Sequence, residues 1–148
     1  MQQGLSRHAL REHLFRLLFE AEFQTPDDMP EQIEQYLDAP PLEEAFEEPV
    51  GEKYRKELRK KFDRITEQIS VIDGILNETA RSWKTTRMNR VDLTILRLAV
   101  YEILFDEDIP DSVAINEAVE LAKTYSEEDA PAFINGILAT VVREKKPS

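Results

Sequence analysis

Few side chains of this sequence have the type and spacing that catalysis or metal binding requires. The two histidines, His8 and His13, lie five residues apart, so they do not line up on one helix face. Leu5 and Leu10 stand three residues before them, where the Glu-x-x-His pairing of di-iron bundles needs a glutamate. The sequence therefore predicts no metal site and no cofactor.

The residues of nucleophilic and nucleotide chemistry are missing as well. The chain has no cysteine, and its four glycines begin no Gly-x-Gly or Gly-Lys-Ser/Thr loop of the kind that cradles phosphates. No Gly-x-Ser-x-Gly turn presents a serine nucleophile. We therefore predict that the protein is not an enzyme.

Charge is distributed unevenly along the chain. Residues 25–52 contain ten acidic residues, five of the eight prolines and no Lys or Arg, and they account for nearly all of the net charge of −11. Because proline interrupts helices, we interpret this segment as a surface connection with a short helix around residues 31–37. It is either a solvated loop or an acidic docking segment. An acidic molecule binds nucleic acid poorly in general, so any RNA site must be local.

The first predicted helix runs from Ser6 to Phe23. Residues at four-residue spacing give it two apolar rows: Leu10, Leu14 and Leu18, and Phe15, Phe19 and Phe23. The same helix carries a group of basic residues: Arg7, His8, Arg11 and Arg16. Core residues and positive charge therefore share one helix.

A second long helix is predicted from residue 54 onward. Its apolar residues follow at intervals of three and four: Tyr54, Leu58, Phe62, Ile65, Ile69 and Ile72. Its other face is basic: Lys53, Arg55, Lys56, Arg59, Lys60, Lys61 and Arg64. We interpret this face as a solvated surface that offsets the acidic segment, with contact to RNA or to a partner as the alternative. A helical stretch from Ile72 to Trp83 follows.

The second half of the chain predicts three more helices. Residues 91–105 are apolar on nearly every side but too few to span a bilayer, which predicts a buried central helix. Arg97 within it should find a carboxylate or carbonyl partner, because an unpaired buried charge is costly. Residues 110–112 mark a break and a cap. A turn at 126–129 leads to Pro131 in the first turn of the last helix.

No segment alternates as strands do, so the predicted fold is all-α. We expect a compact bundle of about six or seven helices in two closely packed groups, with consecutive helices as antiparallel neighbours. The length fits one domain, 1–148. No window has the pattern of a signal peptide or a membrane-spanning helix, and the lack of cysteine fits a reducing compartment. We therefore expect a soluble, cytoplasmic protein.

Three runs of sequence resemble the signature of the bacterial NusB transcription-antitermination family in order and spacing. They are LRLAVYE, AINEAVELAK and FINGIL, all within residues 91–138. The first helix, RHALREHLFRLLFEAEF, resembles the family's N-terminal arginine-rich helix. Much of the signature has a packing role, and we expect Asn116 and Asn135 to satisfy backbone groups. The resemblance covers nearly half of the chain and implies the fold before it implies the function.

The function that the resemblance implies is that of an adaptor. Members of the family bind a single-stranded RNA element, boxA, jointly with the small-subunit ribosomal protein also called NusE. They help to assemble the complex that keeps RNA polymerase transcribing ribosomal RNA operons. The chain is therefore expected to bind boxA-type RNA together with NusE. Some family members form homodimers, and the sequence leaves this open.

The resemblance also implies which residues meet the RNA. Arg7 and Arg11 fall at family arginine positions, and we expect both to be exposed. The expected RNA-binding residues are Arg7, His8, Arg11, Arg16, Phe19, Asp129 and Phe133. A helix end that carries arginines can contact phosphates while aromatic rings stack on splayed bases. For Phe19 and Phe133, a place in the core is the alternative.

The chain departs from the family at this site. Residues 6–11 contain two arginines where family members often have three or four, and Ala132 stands where a basic residue is common. Fewer phosphate contacts predict weak RNA affinity without the partner. The alternative function is a protein-binding helical module with little RNA binding of its own. A fused methyltransferase domain is not expected, because the chain ends 10 residues after the signature.

Overall fold

The computed structural model describes residues 7–23, 31, 34, 35, 52–80 and 83–146. Within them the chain forms six α-helices and one short 3-10 helix, and no strand. The elements in order are α1 (Arg7–Ala21), α2 (Glu52–Glu67), α3 (Ile69–Thr79), the 3-10 helix (Thr85–Arg87), α4 (Arg90–Phe105), α5 (Asp111–Tyr125) and α6 (Ala130–Lys145). The predicted all-α class is confirmed. The backbone divides into two compact units, Met1–Arg64 and Ile65–Ser148.

The predicted acidic connection lies mostly outside the described residues. Of residues 25–51, the structure describes Glu31, Glu34 and Gln35, and all three have helical backbone. This agrees with the short helix expected around residues 31–37.

The first unit has a core built from the leucine row of α1. Its buried apolar side chains are Leu10, Leu14, Phe15, Leu17, Leu18, Leu58 and Phe62. Full burial of one such side chain contributes roughly 1.5–3 kcal/mol. The helix ends at Ala21 rather than at Phe23, because the N–H groups of Glu22 and Phe23 bond back three residues, to Phe19 at 3.1 Å and to Glu20 at 3.0 Å.

The predicted long helix from residue 54 through Ile72 is wrong as a single element. It is interrupted at Gln68, whose backbone (φ −102°, ψ 6°) leaves the helical region. The Gln68 N–H bonds to the Ile65 carbonyl, three residues back, at 3.0 Å. The apolar interval continues across the break, with Ile65 and Ile72 fully buried, so the periodicity gave no sign of it. The following helix ends at Thr79, before the predicted Trp83.

The second unit is organised around α4. Eleven of its sixteen residues are buried, and it packs against α3, α5 and α6. The prediction of a central buried helix at residues 91–105 is confirmed. Arg97 lies on α4 and donates two hydrogen bonds to Asp73 of α3, at 2.9 and 2.7 Å. The expected carboxylate partner of Arg97 is therefore confirmed as well.

Polar contacts between helix ends establish the directions of α4, α5 and α6. The hydroxyl of Ser126, just after α5, donates to Asp92 in the first turn of α4. Lys146, just after α6, donates to Asp111 at the start of α5 at 2.8 Å and to the carbonyl of Ile103 near the end of α4 at 3.1 Å. Consecutive helices among these three are therefore antiparallel, as predicted.

The helix starts are only partly as predicted. Asn89 caps α4, with its side-chain oxygen accepting the Asp92 N–H at 2.8 Å. The break before α5 is present, but Pro110 occupies the cap position and no side chain caps the helix. Asp111 is the first helical residue, and its carboxylate binds Lys146 instead. Pro131 lies in the first turn of α6, as predicted. Within the described residues, no helix is long and apolar enough to cross a bilayer.

Candidate nucleic-acid interface

The start of α1 presents Arg7 and His8 to solvent. The Arg7 Nη1 donates to Glu57 Oε2 at 2.8 Å, yet 73% of the Arg7 side chain stays exposed. The Lys61 Nζ lies 3.6 Å from the same carboxylate oxygen. Exposed pairs of this kind contribute about 0–1 kcal/mol to stability. An arriving phosphate can therefore replace Glu57 as the acceptor of Arg7 at little cost.

Arg11 departs from the expectation. It lies one turn after Arg7, but it is only 6% exposed and interacts with other groups of the chain. The expectation that Arg11 is an exposed cation is wrong, because the buried face of α1 is wide enough to include it beside Leu10 and Leu14. A buried arginine contributes packing through its long apolar stem as well as charge, so we expect substitution of Arg11 to affect stability. Of the two arginines that fall at family arginine positions, Arg7 is exposed to solvent and Arg11 is buried.

His13 does not add positive charge to α1. Its side chain is completely buried, and burial, aided by the charge of Arg16, lowers the pKa of His13 from 6.5 to about 4. The ring is therefore neutral near pH 7. The exposed positive charge of this helix comes from Arg7, with a half-buried contribution from Arg16.

An aromatic row runs along α1 from its core towards its C-terminal end. Phe15 is buried, Phe19 is half-buried and Phe23 is 63% exposed. The ring centroids of Phe15 and Phe19 are 6.2 Å apart, and those of Phe19 and Phe23 are 5.2 Å apart. Phe19 thus has both a core contact and a partly accessible ring. The four-residue spacing predicted the row, but not that its last ring is exposed.

The other predicted residues, Asp129 and Phe133, lie in the second unit. Asp129 is exposed at the cap position of α6, and its side chain makes no capping hydrogen bond. Phe133 is half-buried, and its ring meets Trp83 edge to face, with centroids 6.0 Å apart and planes at 76°. Trp83 is 50% exposed. Sequence reasoning treated Trp83 only as the end of a helix.

Two exposed cations, Lys84 and Arg87, flank the turn that follows Trp83. Neither side chain forms a hydrogen bond or an ion pair with any residue that the structure describes. The turn itself is fixed, because the buried Thr85 donates its N–H to the Asn77 side chain at 2.8 Å. The second unit therefore carries aromatic and cationic side chains next to each other in sequence, a signal that was available before the structure.

The basic face of α2 is partly neutralised. Arg59 forms an ion pair with Glu34, a residue of the acidic segment, and Arg55 lies 4.0 Å from the same carboxylate. This agrees with the interpretation that the face offsets the acidic segment. Three further cations of α2 are exposed and have no ion pair in the described part of the chain: Lys56, Lys60 and Arg64.

Asn116 and Asn135 differ from their predicted role. Both are exposed, and neither side chain forms a hydrogen bond with another described residue. The expectation that they satisfy backbone groups is wrong, because both lie inside helices, where the helix itself satisfies the backbone. The described ranges also contain no group of three His, Asp or Glu residues placed as metal ligands.

Comparison with known proteins accounts for nearly the whole chain. The model of the NusB family matches residues 8–143. The chain belongs to the NusB family. Its curated relatives include the transcription antitermination protein NusB of Lachnoclostridium phytofermentans, 44% identical over 93% of this chain and 99% of that protein. That of Acetivibrio thermocellus is 43% identical over 95% of this chain and 91% of that protein.

Solved structures agree with the membership in the NusB family. The T. maritima NusB structure has 34% sequence identity and a TM-score of 0.82, and covers 96% of this chain and 94% of that one. A complex of antitermination factors NusB and NusE with double-stranded RNA has 22% identity and a TM-score of 0.73, over 93% of this chain and 96% of that one. At that identity the likeness concerns the fold alone. The match to the NusB family model begins at His8, so Arg7 lies one residue before it.

Proposed function

We propose that the chain is a transcription antitermination factor that binds boxA-type single-stranded RNA jointly with NusE. In this role it supports processive transcription of ribosomal RNA operons as part of the RNA polymerase antitermination complex. It acts in the cytoplasm as a non-enzymatic adaptor. Support comes from membership in the NusB family and from relatives that are named as antitermination proteins. The likeness in fold to a NusB structure solved with NusE and double-stranded RNA is consistent with it.

The observation that carries the proposal is the exposed arginine at the start of α1. Arg7 is held by one weak surface pair with Glu57, and phosphate oxygens accept hydrogen bonds from arginine at least as well as a carboxylate does. His8 lies next to it and is exposed. We assign direct phosphate contact to these two residues, with the half-buried Arg16 adding charge.

The remaining predicted residues fit base contact better than phosphate contact. Phe19 and Phe133 keep part of their rings accessible, and aromatic rings stack on unpaired bases. The Asp129 carboxylate accepts from base amino groups, whereas phosphates repel it. Arg11 stays in the predicted set as a buried residue, so its substitution should affect stability as well as binding.

The small number of exposed cations on α1 supports the expectation that RNA affinity is weak without the partner. Few phosphate contacts give low affinity for RNA alone, and a second RNA-binding protein adds its own contacts to the same strand.

We also propose that the two units act as one domain, with residues 25–52 as its acidic connection. The family match supports this, because it runs through both units without interruption. Light scattering would measure whether the chain forms the homodimer that some family members form.

The test is a pull-down of purified NusE followed by titration of the complex with boxA-type RNA. We expect capture of NusE and RNA binding that is tighter with NusE than without it. Arg7→Ala should lower the slope of log affinity against log salt by about 0.7, the effect of one phosphate contact. Its free energy of unfolding should change by less than about 0.5 kcal/mol, because the side chain is exposed.

The matched control is Arg143→Ala, which removes one exposed arginine from the last turn of α6. It makes the same change in net charge and should leave the slope unaltered. Capture of NusE without any RNA binding, either by the complex or by the chain alone, would contradict the proposal. It would favour the alternative function, a protein-binding helical module.

A further inference from the structure

Trp83 is a large aromatic side chain that the fold leaves half exposed. It is the only tryptophan of the chain, and 50% of it is accessible. Its backbone N–H bonds to the carbonyl of Ala80, close after α3, and its ring meets the Phe133 ring of α6 edge to face. Exposed apolar surface of this size costs free energy in water and often marks a binding surface.

The backbone that follows Trp83 is anchored to the fold. The adjoining 3-10 helix has a buried residue at its start, Thr85, and the buried Met88 directly after it. The Thr85 N–H bond to Asn77 ties this turn to α3. An anchored backbone next to a contact residue reduces the conformational entropy lost when a ligand binds.

Positive charge accompanies the ring. Lys84 follows Trp83 directly and Arg87 comes three residues later, and both are exposed. Like Lys56, Lys60 and Arg64 of α2, these two have no ion pair with a described residue, and of these five cations they are the ones that lie close to Trp83 in sequence. Cations close in sequence to an accessible aromatic ring suit single-stranded nucleic acid, because its backbone is anionic and every base has a flat face.

We infer that Trp83 and Phe133 form a stacking surface for bases of single-stranded RNA, with Lys84 and Arg87 as contacts for the adjoining phosphates. This inference rests on the proposed function and extends it, because it adds three residues of the second unit to the RNA site. An apolar protein surface would also suit Trp83. It would leave the two cations without a partner, so the charges favour RNA.

The single tryptophan makes the inference directly measurable. Titration of the complex with NusE by unlabelled boxA-type RNA should quench the Trp83 emission, with the same midpoint as the binding of end-labelled RNA. A Trp83→Phe chain in the same complex identifies any signal that comes from NusE. Trp83→Ala should weaken RNA binding about fivefold to a hundredfold, the range for loss of one stacked base, and Trp83→Phe should weaken it much less.

Two controls separate stacking from structure and charge. Phe105→Ala removes another exposed aromatic ring, which stacks on Tyr101, and should leave RNA binding unchanged. Lys84→Gln with Arg87→Gln leaves both rings in place and should lower the salt slope by about 1.4. Arg143→Gln with Lys145→Gln makes the same change in charge at the end of α6 and should not lower the slope.

The outcomes distinguish this inference from the proposed function. RNA binding with unchanged Trp83 emission, and with Trp83→Ala equal to Phe105→Ala, would overturn the inference and leave the proposed function standing. Quenching by NusE alone, with capture of NusE lost in Trp83→Ala, would assign the ring to the protein partner and overturn the inference too. Absence of any RNA binding would refute both.

Discussion

His13 shows how one buried side chain couples stability to pH. The ring is neutral in the folded chain because its pKa is lowered to about 4 by burial and by the charge of Arg16. In the unfolded chain the ordinary value of 6.5 applies. Protons therefore bind the unfolded chain more tightly, and the folded state loses stability as the pH falls from 6.5 towards 4.

We predict that His13→Leu removes most of this dependence. Between about pH 7.5 and pH 4.5, the wild-type chain should lose roughly 2–3 kcal/mol more free energy of unfolding than the variant, at 1.36 kcal/mol per pKa unit. Urea unfolding at several pH values measures the difference. His8→Ala, which alters an exposed histidine, should keep the wild-type dependence. Parallel curves for wild type and His13→Leu would contradict the prediction.

The Arg97–Asp73 pair is the other residue-scale contribution to stability. Both side chains are largely buried, 12% and 22% exposed, and are joined by two hydrogen bonds. We predict that Arg97→Ala lowers the free energy of unfolding by roughly 2–3 kcal/mol, because Asp73 is left without its counter-charge. The double variant Arg97→Met with Asp73→Leu should be closer to wild type. Thermal or urea unfolding of both variants provides the measurement, and a double variant no more stable than Arg97→Ala would contradict the prediction.

The role of a residue was predictable from the sequence where a single property, such as a charge within an apolar helix, determined it. Arg97 needed a partner because it lies in an apolar helix, and the sequence therefore predicted its pairing. Arg11 was mispredicted because its position on the helix face is borderline, and tertiary packing decides whether such a residue is covered. Trp83 was missed because periodicity describes which residues are buried and does not identify an apolar residue that stays exposed.

At the scale of elements, the start of α4 depends on a reciprocal cap. Asn89 accepts the Asp92 N–H, and its own side-chain N–H donates to the Asp92 carboxylate at 3.1 Å. We predict that Asn89→Ala lowers the free energy of unfolding by about 1 kcal/mol. Asn116→Ala, in the exposed middle of α5, should change it by less than about 0.5 kcal/mol. Chemical denaturation distinguishes the two, and equal effects would show that the cap is not needed.

The predicted elements agree with the observed ones where periodicity and boundary residues coincide. Residues 91–105 and the helix that begins near Pro131 were predicted almost to their ends. The interruption at Gln68 was not, because Gln is a good helix former and the apolar interval passes through it unchanged. At residues 110–112 the residue types suggested a helix start with a side-chain cap. The structure has Pro110 at the cap position, and no side chain caps the helix there.

At the scale of the whole molecule, charge opposes the proposed binding of RNA. The net charge of −11 comes almost entirely from residues 25–52, so long-range repulsion should slow the approach of a polyanion. We predict that the combined substitution of Glu43, Glu44, Glu47 and Glu48 by Gln speeds RNA association a few-fold at low salt, and that the difference disappears at high salt. Stopped-flow mixing measures both rates. Equal rates at low salt would contradict the prediction.

The all-α class and the family were predictable from the whole sequence, because hydrophobic intervals and three signature runs extend over long stretches. The division at residue 64 was not, since it falls inside α2 and no change in composition marks it. Whether a side chain is exposed depends on such long-range packing. For this reason the sequence predicted the protein family correctly but did not predict reliably which of the candidate RNA-binding residues are exposed.

The two hydrogen bonds between Arg97 and Asp73 have a consequence beyond their strength. Leucine and isoleucine surfaces interlock in several alternative alignments with similar burial, so an apolar seam between α3 and α4 does not by itself define one. A slip of one turn would move Asp73 by about 5.4 Å along its axis and would separate both donors from their acceptors. The planar fork of the guanidinium thus selects a single register for the pair of helices.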